Sequence, residues 1–105
     1  MKRLQEAVDR LREVLSRIPD VERVILFGSY ARGRRDLLTD LDVLVVMRTG
    51  LSPLERLRWL YQRLSLPVDM DLICLTPEEF EEQKFAPFFR KVLEEGEVIY
   101  EKEPG

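Results

Sequence analysis

No histidine occurs anywhere in this 105-residue chain, which excludes imidazole-based triads and histidine-ligated zinc. Any acid–base work falls to carboxylates. The one cysteine, Cys74, cannot close an internal disulfide, and its apolar surroundings in the sequence read as those of a small buried side chain. No apolar run approaches the roughly 18 residues of a membrane-spanning helix. The opening Met1-Lys2-Arg3-Leu4-Gln5-Glu6 turns charged at once, unlike a secretory leader, so the expected compartment is cytoplasmic. A surplus of positive charge is missing too: 17 Lys plus Arg against 20 Asp plus Glu give a net charge of −3, which argues against broad binding to nucleic acid. Neither an internal repeat nor a low-complexity tract interrupts the chain.

What is present is an ordinary globular composition, 45% hydrophobic and 35% charged, of a length that supports one core and one domain over residues 1–105. Leu4, Val8, Leu11, Leu15 and Ile18 recur at helical spacing, predicting an amphipathic helix over about 2–17 that Pro19-Asp20 ends. Val24-Ile25-Leu26-Phe27 and Val43-Leu44-Val45-Val46 read as buried strands within about 22–27 and 41–47. Ser52 and Pro53 supply a cap and first residue for a helix whose apolar stripe is Leu54, Leu57, Tyr61 and Leu64. That helix is long enough to cross back over the sheet to a third strand in Pro67–Leu75. Thr76-Pro77-Glu78-Glu79 is a helix start with a capping-box glutamate. Pro87 begins a further helix that Gly96 ends near Glu95. Glu97-Val98-Ile99-Tyr100 predicts a short edge strand, and a mobile tail is expected from Glu101 to Gly105. The fold class is α/β (α+β), with a mixed central sheet of three to four strands and helices packed against it.

The chemistry concentrates between the first two strands. Gly28 ends the first strand where a phosphate can approach a backbone without a Cβ, Ser29 adds a hydroxyl donor, and Tyr30-Ala31-Arg32 can begin a short helix with free N–H groups. Asp40 and Asp42 stand two apart at the start of the second strand, so both carboxylates point to one face. Two acids that close repel each other unless a cation lies between them, and hard oxygen ligands suit Mg²⁺. In-line phosphoryl displacement wants a third carboxylate, as base or as ligand to a second ion. Asp71 fits that place because it directly precedes an apolar stretch, as Asp42 does. Asp69 shares its face and is the alternative, since sequence alone does not fix the strand register. Of Arg32, Arg34 and Arg35, the first lies nearest the turn and is the candidate for neutralising phosphate. Trp59 reads as a packing residue, and Ala86-Pro87-Phe88-Phe89 gathers aromatics, part of which can form a contact patch.

Gly28-Ser29, ten intervening residues, Asp40-Leu41-Asp42 and a later strand aspartate resemble the minimal nucleotidyltransferases of the DNA polymerase beta superfamily, in particular the MntA-like antitoxins of HEPN/MNT toxin–antitoxin pairs. The resemblance runs from the first helix to Leu75-Thr76-Pro77-Glu78-Glu79-Phe80, with Thr39 standing where many relatives have serine. It implies a polymerase beta-like nucleotidyltransferase fold. It also implies two Mg²⁺ ions on Asp40, Asp42 and Asp71, a triphosphate held at Gly28 and Ser29, and ATP as substrate. The implied reaction moves AMP to a hydroxyl, a tyrosine of a helical HEPN toxin being the expected acceptor. Two other readings stand beside it: a non-catalytic module that neutralises a helical partner by contact, and a small-molecule transferase of the aminoglycoside type. The latter enzymes usually carry an acceptor-binding domain for which this chain has no room. Base preference, acceptor and oligomeric state are not legible.

Overall fold

In the computed structural model, which describes residues 2–34, 39–66 and 68–103, the elements run α1 (Lys2–Ser16), β1 (Val21–Phe27), α2 (Gly28–Ala31), β2 (Leu41–Met47), α3 (Pro53–Arg63), β3 (Met70–Leu75), α4 (Pro77–Gln83), α5 (Pro87–Glu95) and β4 (Glu97–Glu101). Arg35, the expected start of the third strand at Pro67 and the last two residues of the tail lie outside the described residues. The four strands form one mixed sheet in the order β3-β2-β1-β4. β1 is antiparallel to both β2 and β4, and β2 is parallel to β3. The parallel pair is joined through α3, as a parallel connection requires.

Strand alternation divides the core between the two faces of the sheet. Val24, Leu26, Leu41, Val43, Val45, Leu72 and Cys74 meet Leu4, Ala7, Val8, Leu11 and Leu15 of α1 and Leu60 of α3 on one face. Ile25, Leu44, Val46 and Leu75 meet Phe80 of α4 and Val92 of α5 on the other. Burial raises the Cys74 thiol to about 11, so it acts as packing and not as a nucleophile. No helix among the described residues is long and apolar enough to cross a membrane.

Local signals place the helix starts. The Ser52 side chain accepts from the Glu55 N–H, and Pro53 opens α3. Thr76 and Glu79 form a reciprocal capping box at α4, with Glu79 N–H donating to Thr76 Oγ1 at 3.2 Å and Thr76 N–H to Glu79 Oε1 at 2.9 Å. Two expectations need correction. The third strand begins at Met70, so Asp69 precedes it. Of the expected α3 stripe, Leu64 is buried and Leu57 packs against the core, but Leu54 is 63% and Tyr61 43% exposed.

Arg56 and Leu60 are the buried residues of α3. The Arg56 guanidinium donates to both carboxylate oxygens of Glu79, at 2.7 and 3.2 Å, and to the carbonyls of Leu51 and Cys74. Tyr61, on the outer side of α3, donates its hydroxyl to the Met70 carbonyl and accepts the Leu72 N–H. Side chains of α3 therefore take up backbone groups along the edge strand β3, which would otherwise offer a template for strand pairing.

Candidate active site

The parallel register sets Asp42 beside Asp71 and Leu41 beside Met70. Side chains paired this way share a sheet face, so the two carboxylates stand next to each other. They lie on the face that carries Leu44, Val46 and Leu75, two residues beyond the apolar rows at the strands' N-terminal ends. Asp71 is exposed and Asp42 half-buried. Asp40, exposed, lies two residues before Asp42. Asp69 sits one step before β3, where its carbonyl accepts the Leu41 N–H at 3.1 Å.

Across the antiparallel pair, Phe27 stands opposite Asp42, which brings the end of β1 and the Gly28-Ser29 turn to the same acids. Gly28 has φ +71°, and a Cβ built there would lie 2.1 Å from Asp42 Oδ2. Only glycine takes this backbone conformation while leaving room for that carboxylate. The turn winds into the single helical turn of α2, whose Tyr30 is buried against the α1 side of the core. Arg32 follows as its C-cap and reaches Glu95 of α5 at 3.7 Å.

The electrostatics reflect this crowding. Burial foremost, then the nearby charges of Asp71 and Asp40, push the Asp42 carboxyl above its ordinary value, while Arg32 opposes them. A carboxylate raised by its acidic neighbours is one that a cation would relieve. No group of three or more acids, histidines or cysteines among the described residues forms a finished metal cage. The hard oxygen donors and their mutual repulsion nevertheless fit a divalent cation shared with phosphate oxygens and water.

The predicted residues Gly28, Arg32, Asp40, Asp42 and Asp71 are thus brought to one end of the sheet, with Ser29 following Gly28 in the same turn. Sequence reasoning missed Phe27 and Glu95, since one enters through a cross-strand register and the other through a helix contact. A cavity of about 690 Å³, lined by Arg23, Val46, Arg48 and Phe80 among others, lies at the opposite end of the strands. Its Arg48 and Arg23 are already paired with Glu22 and Glu101, so we do not assign the chemistry there.

A mixed sheet that mounts adjacent acids against a glycine-led turn has the architecture of phosphoryl-group transfer. The nucleotidyltransferase domain model matches residues 8–100, and the chain belongs to that family of enzymes. It is 37% identical over 82 residues to "Putative protein adenylyltransferase MJ0604" of Methanocaldococcus jannaschii, covering 76% of this chain and 79% of that protein. The fold is similar to a "putative nucleotidyltransferase" of Sulfolobus solfataricus, with a TM-score of 0.67, 24% identity, and coverage of 99% of this chain and 85% of the other. It is also similar to a mutant form of the toxin–antitoxin MntA-HpeT, with a TM-score of 0.57, 21% identity and coverage of 95% and 73%. A toxin–antitoxin structure with AMP-PNP matches with a TM-score of 0.55, 21% identity and coverage of 94% and 74%.

Proposed function

We propose that this enzyme transfers AMP from ATP, in the presence of Mg²⁺, to a hydroxyl of a partner protein, and that the acceptor is a tyrosine of a HEPN-type toxin that it neutralises as an antitoxin. The observation that carries the reading is the side-by-side placement of Asp42 and Asp71 in the parallel register, with the Asp42 carboxylate packed against Gly28. The relative named for protein adenylylation and the fold's likeness to toxin–antitoxin structures, one with AMP-PNP, support the choice of nucleotide and acceptor.

In this reading Gly28 leaves room for the triphosphate tail, Ser29 donates to it, and Arg32 offsets part of its charge. The acceptor hydroxyl attacks the α-phosphorus, a new P–O bond forms, and the bond to the β-phosphate oxygen breaks as pyrophosphate leaves. Asp71 assists, as base on the attacking hydroxyl or as a ligand. Asp40, Asp42 and Asp71 are the residues that would hold Mg²⁺, whose chemistry when bound is to offset charge on the phosphate oxygens.

The test is incubation of the protein with α-labelled ATP, Mg²⁺ and a HEPN-type toxin, followed by mass spectrometry of that toxin. A tyrosine carrying AMP is expected, and Asp40→Ala or Asp42→Ala, still folded by circular dichroism, should reduce labelling to the level without enzyme. Undiminished labelling by these variants refutes the site. Equal neutralisation of the partner after all three aspartates are changed to alanine would refute transfer as the means.

A further inference from the structure

The junction of α4 and α5 carries an aromatic and basic surface that the transfer chemistry does not use. Phe85 is 73% and Phe88 51% exposed, among the largest apolar side chains left to solvent. Within residues 84–91 there are three cations, Lys84, Arg90 and Lys91, and no acid, in a chain whose net charge is −3. Lys84 is held by Glu81 and lies over the Phe85 ring, its Nζ 5.3 Å from the ring centroid. Arg90 and Lys91 are exposed and have no ion pair among the described residues.

This surface adjoins the candidate active site. Phe88 packs edge-on against Phe27, with centroids 5.8 Å apart, and Phe27 is the cross-strand neighbour of Asp42. At the other end of α5, Glu95 reaches Arg32. Helical periodicity puts Phe88, Lys91 and Glu95 on one flank of α5, the flank that these two contacts turn toward the turn and its acids. Lys91 therefore stands between two points anchored to the site.

Resting on the transfer reading above, we propose that the α4–α5 junction is the acceptor-docking surface, and that it takes a segment of the acceptor protein bearing an apolar side chain flanked by acidic residues. The exposed phenylalanines supply the apolar contact, and Arg90 and Lys91, exposed and held in no ion pair among the described residues, supply positive charge. Acidic flanks next to the reacting hydroxyl would be selected and basic flanks rejected.

Two fluorescent peptides serve as probes, each with one tyrosine and one leucine, one flanked by glutamates and the other by lysines. Fluorescence anisotropy without ATP should show the glutamate peptide binding at least about tenfold more tightly. Arg90→Glu/Lys91→Glu should erase or invert that preference, and Phe85→Ala, a change at an exposed side chain, should weaken both peptides. Neither substitution should alter the affinity for ATP measured by calorimetry. Equal binding of the two peptides, or variants without effect on peptide binding, overturns the surface even if AMP transfer is intact. A loss of ATP affinity in the charge-reversed variant also overturns it, by assigning the flank to the nucleotide. Retained peptide preference with no labelling from ATP upholds the surface and refutes the transfer reading alone.

Discussion

The buried guanidinium of Arg56 makes the sharpest claim about stability. Its side chain is 8% exposed while the Glu79 carboxylate is 34% exposed, so the two ends of the pair differ in what water can rescue. Arg56→Met keeps most of the aliphatic stem and removes the charge together with the hydrogen bonds to Glu79, Leu51 and Cys74. Breaking one side of a buried pair costs about 3–5 kcal/mol. The half-open Glu79 can rehydrate, which places Arg56→Met at the lower end, about 3 kcal/mol. Glu79→Ala should cost more, about 4–5 kcal/mol, because it strands a buried cation and dismantles the capping box at α4.

Urea unfolding at neutral pH measures this directly. With an m-value of about 1–2 kcal/mol/M, the Arg56→Met midpoint should fall by about 1.5–3 M at unchanged m. The double variant Arg56→Met/Glu79→Ala should cost less than the sum of the singles by about 1–3 kcal/mol. The hydrogen bond from Arg56, then that from the Thr76 N–H, hold the Glu79 carboxyl below its ordinary value of 4.5. Its contribution is therefore fully present above that value and is lost as pH falls through the lower folded-state value. The gap between wild type and Arg56→Met should be flat around neutrality and narrow in acid to the part owed to the Leu51 and Cys74 carbonyls, which do not titrate. A cost under about 1 kcal/mol, the worth of a surface pair, or a gap that does not narrow below the folded-state titration, would refute the reasoning.

Three other outcomes follow from the geometry. Gly28→Ala sets a Cβ against Asp42 Oδ2 in a left-handed backbone, so it should destabilise by about 1–3 kcal/mol in urea and abolish labelling from ATP; a variant with wild-type stability and activity would show that the turn is not so constrained. The Asp42 carboxyl is raised above 3.8 by burial and by Asp71 and Asp40, so its contribution favours folding at low pH and is lost as pH rises through the raised value. Asp42→Asn in EDTA at pH 7 should accordingly be more stable than wild type by about 0.5–1 kcal/mol while inactive, and a lower urea midpoint would contradict this. Tyr61→Phe removes the hydroxyl that serves Met70 and Leu72 and should cost about 1 kcal/mol and promote self-association by size-exclusion chromatography; an unchanged elution profile at high concentration would mean that β3 is protected by other means.

Local signals made much of this fold legible in the sequence. β2 follows from an apolar run preceded by acids, and α5 spans Pro87 to Glu95 because proline opens it and Gly96 follows it. The inward face of α3 was legible only in part, through Leu57 and Leu64. Leu54 and Tyr61 have the spacing of a buried stripe, yet Arg56 goes inside because its partners Cys74 and Glu79 come from 18 and 23 residues away. The site divides the same way. Gly28, Asp40 and Asp42 form a pattern within one stretch of chain, but the choice between Asp69 and Asp71 depends on a register that only the pairing of β2 with β3 supplies.

The two sheet faces explain why acids could be placed here at a tolerable cost in stability. On the face packed by α1 and α3 the apolar positions run the length of β2, from Leu41 through Val43 and Val45 to Met47. On the other, Val46 and Leu44 lie under α4 and α5, and the next step along the strand is Asp42; in β3 the row Leu75 and Ile73 is likewise succeeded by Asp71. The carboxylates are mounted on strands whose opposite face is fully packed, which holds their positions as no loop could. Their repulsion and burial cost the fold little beside the packed core on the opposite face and the Arg56–Glu79 pair at the far end of β3. Substitutions at Asp42 should therefore separate activity from folding, and substitutions at Arg56 should lower both together.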